Sequence, residues 1–217
     1  MKPHVLLNSA MTVDGKIATS NSSMQISGSD DLKRVHMLRK KFDAIMVGIN
    51  TVIIDNPRLT VHKIKSESYD NPIRIIVDSR LRIPRDANVL DSSARTIILT
   101  TRMARVRDVE LLRSMCDVIV CGEDVVNLSE ALKILYDMGI SSIMLEGGST
   151  LNFSMFKDGL VDKVSVCIGS RILGGVESKT LVGGRGFSLD EVVELELDDF
   201  YRIDGDIVLE YNVKKKE

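Results

Sequence analysis

Short apolar segments recur along the first 157 residues of the chain, and segments with helical spacing separate them. This alternation of strand and helix is typical of a mainly parallel sheet covered by helices. Continuous aliphatic runs are typical of strands that are buried on both faces. The predicted strands of this part are residues 5–7, 44–47, 73–77, 96–99, 118–120 and 142–145.

Capping residues mark several of the intervening helices. Ser29 is predicted to cap one helix, and Asn127 to cap another that Gly139 ends. Residues 11–28 are rich in Ser, Asn and Gly and are predicted to form a long loop. Further helices are predicted at residues 50–54, at residues 109–115 and after residue 149.

After Lys157 the helical spacing gives way to strand-like alternation. Strands joined by short turns pair in antiparallel fashion, so we expect antiparallel strands at one edge of the sheet. Nothing in the sequence marks a linker or a repeat, and we predict one α/β domain over residues 1–217. The strands of this last part are predicted at residues 161–168, 191–197 and 207–213.

Charge and composition exclude several classes of protein. The 29 Lys+Arg nearly balance the 31 Asp+Glu, and only 4% of residues are aromatic, which argues against nucleic-acid binding. The three cysteines cannot form a complete disulfide framework, and no His and Cys pair has the spacing of metal ligands. No stretch reaches the roughly 20 apolar residues that span a bilayer. We therefore expect a cytoplasmic protein that binds neither nucleic acid, membrane nor metal.

Small, hydroxyl-bearing and basic residues follow the predicted strands. Ligands of parallel sheets bind at the carboxyl ends of the strands, where these residues meet. At Gly147-Gly148 the backbone can approach a ligand closely, and the start of the following helix attracts an anion. The same segment could instead be only a tight turn with Ser149 as an ordinary helix cap.

Two strand ends combine a hydroxyl group with a guanidinium group. Ser79-Arg80 and Thr101-Arg102 suit a phosphomonoester such as the 2′-phosphate of NADP, which arginine can bind through two hydrogen bonds. Either arginine alone could also be an exposed loop residue. The G-x-G-x-x-G and Walker fingerprints are both absent, which argues against a Rossmann dehydrogenase and a P-loop enzyme.

Six segments, taken in order, resemble one known family. They are residues 11–18 (MTVDGKIA), 34–39 (RVHMLR), 44–52 (AIMVGINTV), 55–60 (DNPRLT), 72–79 (PIRIIVDS) and 145–148 (LEGG). The series resembles the pyrimidine reductase family of riboflavin biosynthesis over residues 6–213. The resemblance implies a dihydrofolate reductase-like fold, in which helices flank a mixed, mainly parallel sheet with antiparallel C-terminal strands.

The resemblance also implies an activity. The family reduces the ribosyl side chain of 2,5-diamino-6-(5-phosphoribosylamino)pyrimidin-4(3H)-one by hydride transfer from NADPH to C1′, with NADH as the alternative coenzyme. Bacterial relatives usually carry a zinc deaminase half, whose signature is absent here, so we expect a free-standing reductase of the archaeal and fungal type. The family implies a homodimer and no metal.

Three alternatives stay open at this point. The substrate could be the deaminated 5-amino-6-(5-phosphoribosylamino)uracil, or the chain could be a dihydrofolate reductase-like enzyme for another pterin or pyrimidine. From a different class, a non-catalytic module would bind NADPH without consuming it.

Site residues carry over from the family by position. We expect Lys16 and Arg39 to bind the substrate phosphate, and no single proton donor is assigned among the candidates Asp14, Lys16, Asp55 and Glu146. The residues implied for the NADPH side are Thr51, Asp55, Val77, Asp78, Ser79, Arg80, Gly122, Gly147, Gly148, Ser149 and Thr150. Those implied for the substrate side are Asn8, Asp14, Lys16, Ser27, Arg39, Arg58, Leu59, His62 and Glu146.

Overall fold

The computed structural model of the chain describes residues 1–20, 22 and 24–215, which contain eleven strands and five α-helices. The strands are β1 (His4–Thr12), β2 (Lys16–Ala18), β3 (Ala44–Gly48), β4 (Ile73–Val77), β5 (Thr96–Thr100), β6 (Asp117–Val120), β7 (Ser142–Gly147), β8 (Lys163–Gly169), β9 (Lys179–Thr180), β10 (Leu195–Ile203) and β11 (Asp206–Val213). The helices are α1 (Ser29–Lys41), α2 (Ile49–Asp55), α3 (Val106–Leu112), α4 (Leu128–Asp137) and α5 (Ser149–Lys157).

Nine strands form one sheet in the order β10-β11-β8-β1-β7-β3-β4-β5-β6. The seven strands from β8 to β6 pair in parallel. At the other edge, β11 and β10 add to β8 in antiparallel orientation. The remaining strands, β2 and β9, pair as a separate ribbon. This topology confirms the predicted fold class: a mixed, mainly parallel sheet with flanking helices and antiparallel C-terminal strands.

The central strands are buried on both faces. Ala44 and Met46 of β3 pack in one hydrophobic cluster with α4 and α5, whereas Ile45 and Val47 pack in a second cluster with α2 and α3. Successive side chains of a strand point to opposite faces, so both sets of residues are apolar here. This is why the central strands appear in the sequence as continuous apolar runs.

The strands at the periphery differ from the predictions. β1 continues to Thr12 rather than ending at residue 7, because its polar second half pairs with β8. β10 spans Leu195–Ile203 rather than residues 191–197, because an edge strand that is exposed on both faces carries no core-imposed alternation. Part of the predicted loop at residues 11–28 is β2, and Asn21 and Ser23 of that loop lie outside the described residues.

Helix ends differ by smaller amounts. The N-caps of α1 and α5 are Gly28 and Gly148, one residue before the serines predicted as caps. α3 begins and ends three residues earlier than the predicted 109–115. Asn127 caps α4 as predicted, since its Oδ1 accepts the N–H of Glu130 at 3.1 Å. No helix in the described part of the chain is long and apolar enough to cross a membrane.

Candidate active site

A cleft of about 1300 Å³ opens at the carboxyl ends of the parallel strands. Gly48, Val77 and Val120 line it where β3, β4 and β6 end, and Glu146 lines it near the end of β7. Ile17 of the β2–β9 ribbon also lines it. The parallel topology thus brings strand ends that are distant in sequence to one site of ligand size.

The N-terminus of α5 forms one wall of this cleft. Its N-cap Gly148 offers no side-chain acceptor, so the first N–H groups of the helix are available to an anion. Ser149 and Thr150 of the first turn line the cleft, and a Cβ added at Gly148 would stand 3.7 Å from Thr51 Oγ1. These observations favour an anion site over a turn capped by Ser149.

Most of the residues predicted for the coenzyme side line the cleft. Asp78 does not, because it is fully buried and its carboxylate accepts the N–H of Ile83 at 2.9 Å, which closes the turn after β4. Burial raises the pKa of Asp78. Arg80 and the buried Gly147 also lie outside the lining. The predicted residues that do line the cleft are Thr51, Asp55, Val77, Ser79, Gly122, Gly148, Ser149 and Thr150.

Two arginines other than Arg80 reach the cleft. Arg102, singled out by its position after β5, lines it and pairs with Glu123 at 3.3 Å. Arg82 also lines it and donates from Nη2 to Asn50 Oδ1 at 2.9 Å. Arg82 is not among the residues predicted from the sequence, because its position depends on a left-handed residue, Leu81 with φ 49°, in the turn before it.

Glu146 and Arg39, both predicted for the substrate side, form a bidentate ion pair. Arg39 donates from Nε to Oε1 at 2.8 Å and from Nη2 to Oε2 at 2.7 Å, and its Nη1 donates to the carbonyl oxygen of Thr60 at 3.1 Å. Both side chains are largely buried: 12% of the Arg39 side chain and 15% of the Glu146 side chain is exposed. Arg39, predicted to bind a phosphate, is therefore engaged by Glu146, which itself lines the cleft.

Three other predicted substrate-side residues are buried outside the cleft lining. The Oδ1 of Asn8 accepts a hydrogen bond from Arg34 Nη2 at 3.0 Å. Arg34 also pairs with Asp31 at 2.7 Å, so the three side chains form a buried network. Ser27 is buried as well, and Leu59 is buried with a positive φ of 51°. The structure does not bring these three side chains to the cleft.

Asp14 lies in the tight turn between β1 and β2, and Lys16 is the first residue of β2. Asp14 accepts the Thr12 hydroxyl at 2.6 Å and the N–H groups of Leu173 and Gly174 at 3.1 and 2.7 Å. These hydrogen bonds lower the pKa of Asp14 to about 2, so its carboxylate is ionised at neutral pH. Lys16 donates from Nζ to the backbone carbonyl oxygen of Ser178 at 3.4 Å, and it lies outside the cleft lining.

Arg58 and His62 are exposed on the segment that follows α2. The backbone N–H of His62 donates to Nδ1 of the buried His36 at 3.1 Å, and the two rings meet edge-on with centroids 4.5 Å apart. Burial lowers the pKa of His36 to about 4, with further lowering by Arg39, His62 and Lys63. Burial and Arg39 also lower the pKa of His62.

The depressed pKa of His36 predicts a loss of stability in acid. In the unfolded chain this imidazole titrates near 6.5, whereas in the native protein it stays neutral down to about 4. Between these two pH values the unfolded state binds the extra proton, so the free energy of unfolding falls as the pH falls from 6.5 to 4. We expect urea titrations to show a loss on the order of 2 kcal/mol that a His36→Asn variant lacks. Parallel pH profiles for the two proteins would contradict this.

Comparison with known proteins finds relatives that match nearly the full chain. The RibD C-terminal domain family matches residues 3–209. A 2,5-diamino-6-ribosylamino-4(3H)-pyrimidinone 5′-phosphate reductase from Methanothermobacter thermautotrophicus is 49% identical, over 99% of this chain and 100% of that protein. A reductase of the same name from Archaeoglobus fulgidus is 40% identical, over 86% of this chain and 89% of that protein. The structure of a pyrimidine reductase-like protein from Corynebacterium diphtheriae has the same fold, with a TM-score of 0.83 at 22% identity over 99% of this chain and 93% of that chain.

Proposed function

The chain belongs to the RibD C-terminal domain family, and on this premise we propose that it reduces 2,5-diamino-6-(5-phosphoribosylamino)pyrimidin-4(3H)-one to the ribitylamino product with NADPH. The observation that carries the proposal is the near full-length similarity to reductases with this substrate in their name. The protein is a reductase of riboflavin biosynthesis that uses a nicotinamide coenzyme. We propose that residues 1–217 form a single reductase domain.

The cleft has the features that a nicotinamide dinucleotide requires. The exposed start of α5 suits the diphosphate, because its N–H groups and the helix dipole favour negative charge. Arg82 and Arg102 supply two guanidinium groups for the 2′-phosphate, and this supports NADPH over NADH. When bound, the coenzyme supplies the hydride for C1′ of the ribosyl side chain.

The substrate side is built around the Glu146 carboxylate. Arg39 fixes the orientation of this carboxylate, whose remaining lone pairs can accept hydrogen bonds from ribose hydroxyl or pyrimidine N–H groups. The exposed guanidinium of Arg58 and the exposed imidazole of His62 can donate hydrogen bonds to the phosphate in place of Arg39. The protein thereby holds C1′ in place, and this positioning is its main contribution to the rate.

The arginines predict the coenzyme preference. We expect Arg102→Ala and Arg82→Ala each to raise the Kd of NADPH about 10-fold, because each removes one charge-assisted hydrogen bond to the 2′-phosphate. The Kd of NADH should change little, since it lacks this phosphate. Fluorescence titrations measure both constants, with Arg107→Ala as the control because Arg107 is exposed outside the cleft lining. Equal weakening of NADPH and NADH would refute the assignment.

The substrate is tested by offering both pyrimidines. Purified protein should oxidise NADPH with the diamino compound and yield its ribitylamino product, identified by mass spectrometry. A higher kcat/KM with the deaminated compound than with the diamino compound would mean that reduction follows deamination. Absence of turnover with either compound would refute the proposed function.

We also propose that two copies of the chain associate through the β10–β11 edge. Leu195, Leu197 and Phe200 of β10 and Ile207 of β11 point to the same face, according to the register of the two strands. Each of these side chains is between 39% and 65% exposed, and an apolar face next to an unpaired edge is suited to a second protein surface. A monomeric mass in sedimentation equilibrium would contradict the proposal.

A further inference from the structure

Residues 58–62, three of which the family resemblance assigns to the substrate side, belong to no helix or strand. Without a ladder of backbone hydrogen bonds, the path of such a segment depends on side chains that reach it from elsewhere. Arg39, Asn71 and His36 hold the backbone of residues 60, 61 and 62 through hydrogen bonds of 3.1, 2.8 and 3.1 Å respectively. The exposed side chain of His62 therefore stands on a backbone that other elements position.

Two of these three anchors come from one face of α1. His36 and Arg39 are three residues apart, so they lie side by side on the helix. Arg39 ties the segment to Glu146 and hence to the cleft. His36 holds the same segment at residue 62, two residues after the carbonyl group that Arg39 binds.

His36 makes this contact as a hydrogen-bond acceptor. Its Nδ1 accepts the His62 N–H, so the neutral ring carries its proton on Nε2. The side chain is only 4% exposed, and the cations Arg39 and Lys63 nearby oppose protonation. A neutral acceptor is thus maintained in a positively charged part of the molecule.

We propose that His36 is a positioning residue of the substrate site: its Nδ1 fixes the backbone of His62, so that the side chain of His62 is held where it binds the substrate phosphate. The proposal rests on the proposed function for the identity of the ligand. It assigns His36 no contact with substrate or coenzyme. It predicts an effect on substrate affinity that is separate from the chemical step and from coenzyme binding.

Two substitutions separate the acceptor from the bulk of the side chain. In His36→Asn, Oδ1 is attached to Cγ as Nδ1 is in histidine, so an acceptor remains at the same place. In His36→Leu, a methyl group takes that place and the N–H of His62 loses its partner. The two variants have similar size, and they differ in the presence of the acceptor.

Kinetics and amide exchange together test the proposal. We expect His36→Leu to raise KM for the pyrimidine substrate about 10-fold, with kcat and the Kd of NADPH changing less than about threefold. His36→Asn should bring KM back to within about threefold of the wild-type value. Hydrogen exchange at the His62 amide, measured by NMR, should be at least about 10-fold faster in His36→Leu than in the other two proteins.

Each outcome decides a separate claim. An unchanged KM in His36→Leu, or equal impairment of both variants, would refute the positioning role. A parallel fall in kcat, NADPH affinity and Tm would show that His36 supports the fold in general, and this too would refute it. If the wild-type protein turned over neither pyrimidine, the proposed function would fail. The hydrogen bond between His36 and His62 would still be tested separately, because unaltered hydrogen exchange at the His62 amide in His36→Leu would refute its role in holding the segment.

Discussion

Replacing Glu146 by Gln is expected to lower the free energy of unfolding by about 3 kcal/mol, because it leaves the guanidinium of Arg39 buried without its counter-charge. The two side chains are 12% and 15% exposed and share two hydrogen bonds, so solvent screens the pair only weakly. Arg39 also holds the carbonyl of Thr60, so the substrate side would lose its geometry together with its carboxylate. We expect kcat/KM to fall by about 100-fold or more.

A double-mutant cycle with Arg39→Met isolates the pair. If the ion pair is the cause, adding Arg39→Met to Glu146→Gln should cost little further stability, because the buried charge is then removed as well. The matched control is Asp117→Asn, which breaks the exposed pair between Arg95 and Asp117 at 2.8 Å. That change should cost less than about 1 kcal/mol. Additive effects of the two buried substitutions would contradict the account.

Thr150→Asp is expected to affect coenzyme binding and stability in opposite directions. Thr150 is exposed in the first turn of α5 and lines the cleft. A carboxylate at the start of a helix interacts favourably with the helix dipole, so the free energy of unfolding should stay the same or rise by about 0.5 kcal/mol. The same charge would repel the diphosphate of NADPH, and we expect the Kd to rise at least about 10-fold.

The neutral variant Thr150→Asn separates charge from shape. It has nearly the same size as aspartate, so we expect its Kd for NADPH to lie within about threefold of the wild-type value. The defect of Thr150→Asp should also shrink at high salt, because salt screens repulsion at an exposed site. If both variants bound NADPH like the wild type, α5 would not be the diphosphate site.

The central part of the fold could be predicted from the sequence because burial on both faces leaves a clear pattern. The predicted strand at residues 73–77 coincides with β4, and the predicted order of strands and helices matches the structure except for the short strands β2 and β9, which are not predicted. The strand predicted at residues 191–197 lies at Leu195–Ile203 in the structure, because the side chains of β10 are exposed on both faces and follow no core-imposed pattern. The extension of β1 to Thr12 depends on pairing with β8, which lies more than 150 residues away.

The candidate site was predictable where it depends on strand ends. Most of the residues predicted for the coenzyme side follow strands directly, so the parallel topology brings them to the cleft. The pairing of Arg39 with Glu146 and the contact of His36 with His62 join elements distant in sequence, and no local pattern indicates them. Arg82 depends on the turn geometry at Leu81, which the residue types do not specify.

The most direct test of the account is to follow the hydride itself. Purified protein is given the diamino pyrimidine substrate and NADPH deuterated at both C4 positions, and the product is analysed by mass spectrometry and NMR. The account predicts one deuterium atom per product molecule, located at C1′ of the ribityl chain. A ribityl product without deuterium at C1′, or no consumption of NADPH, would contradict it.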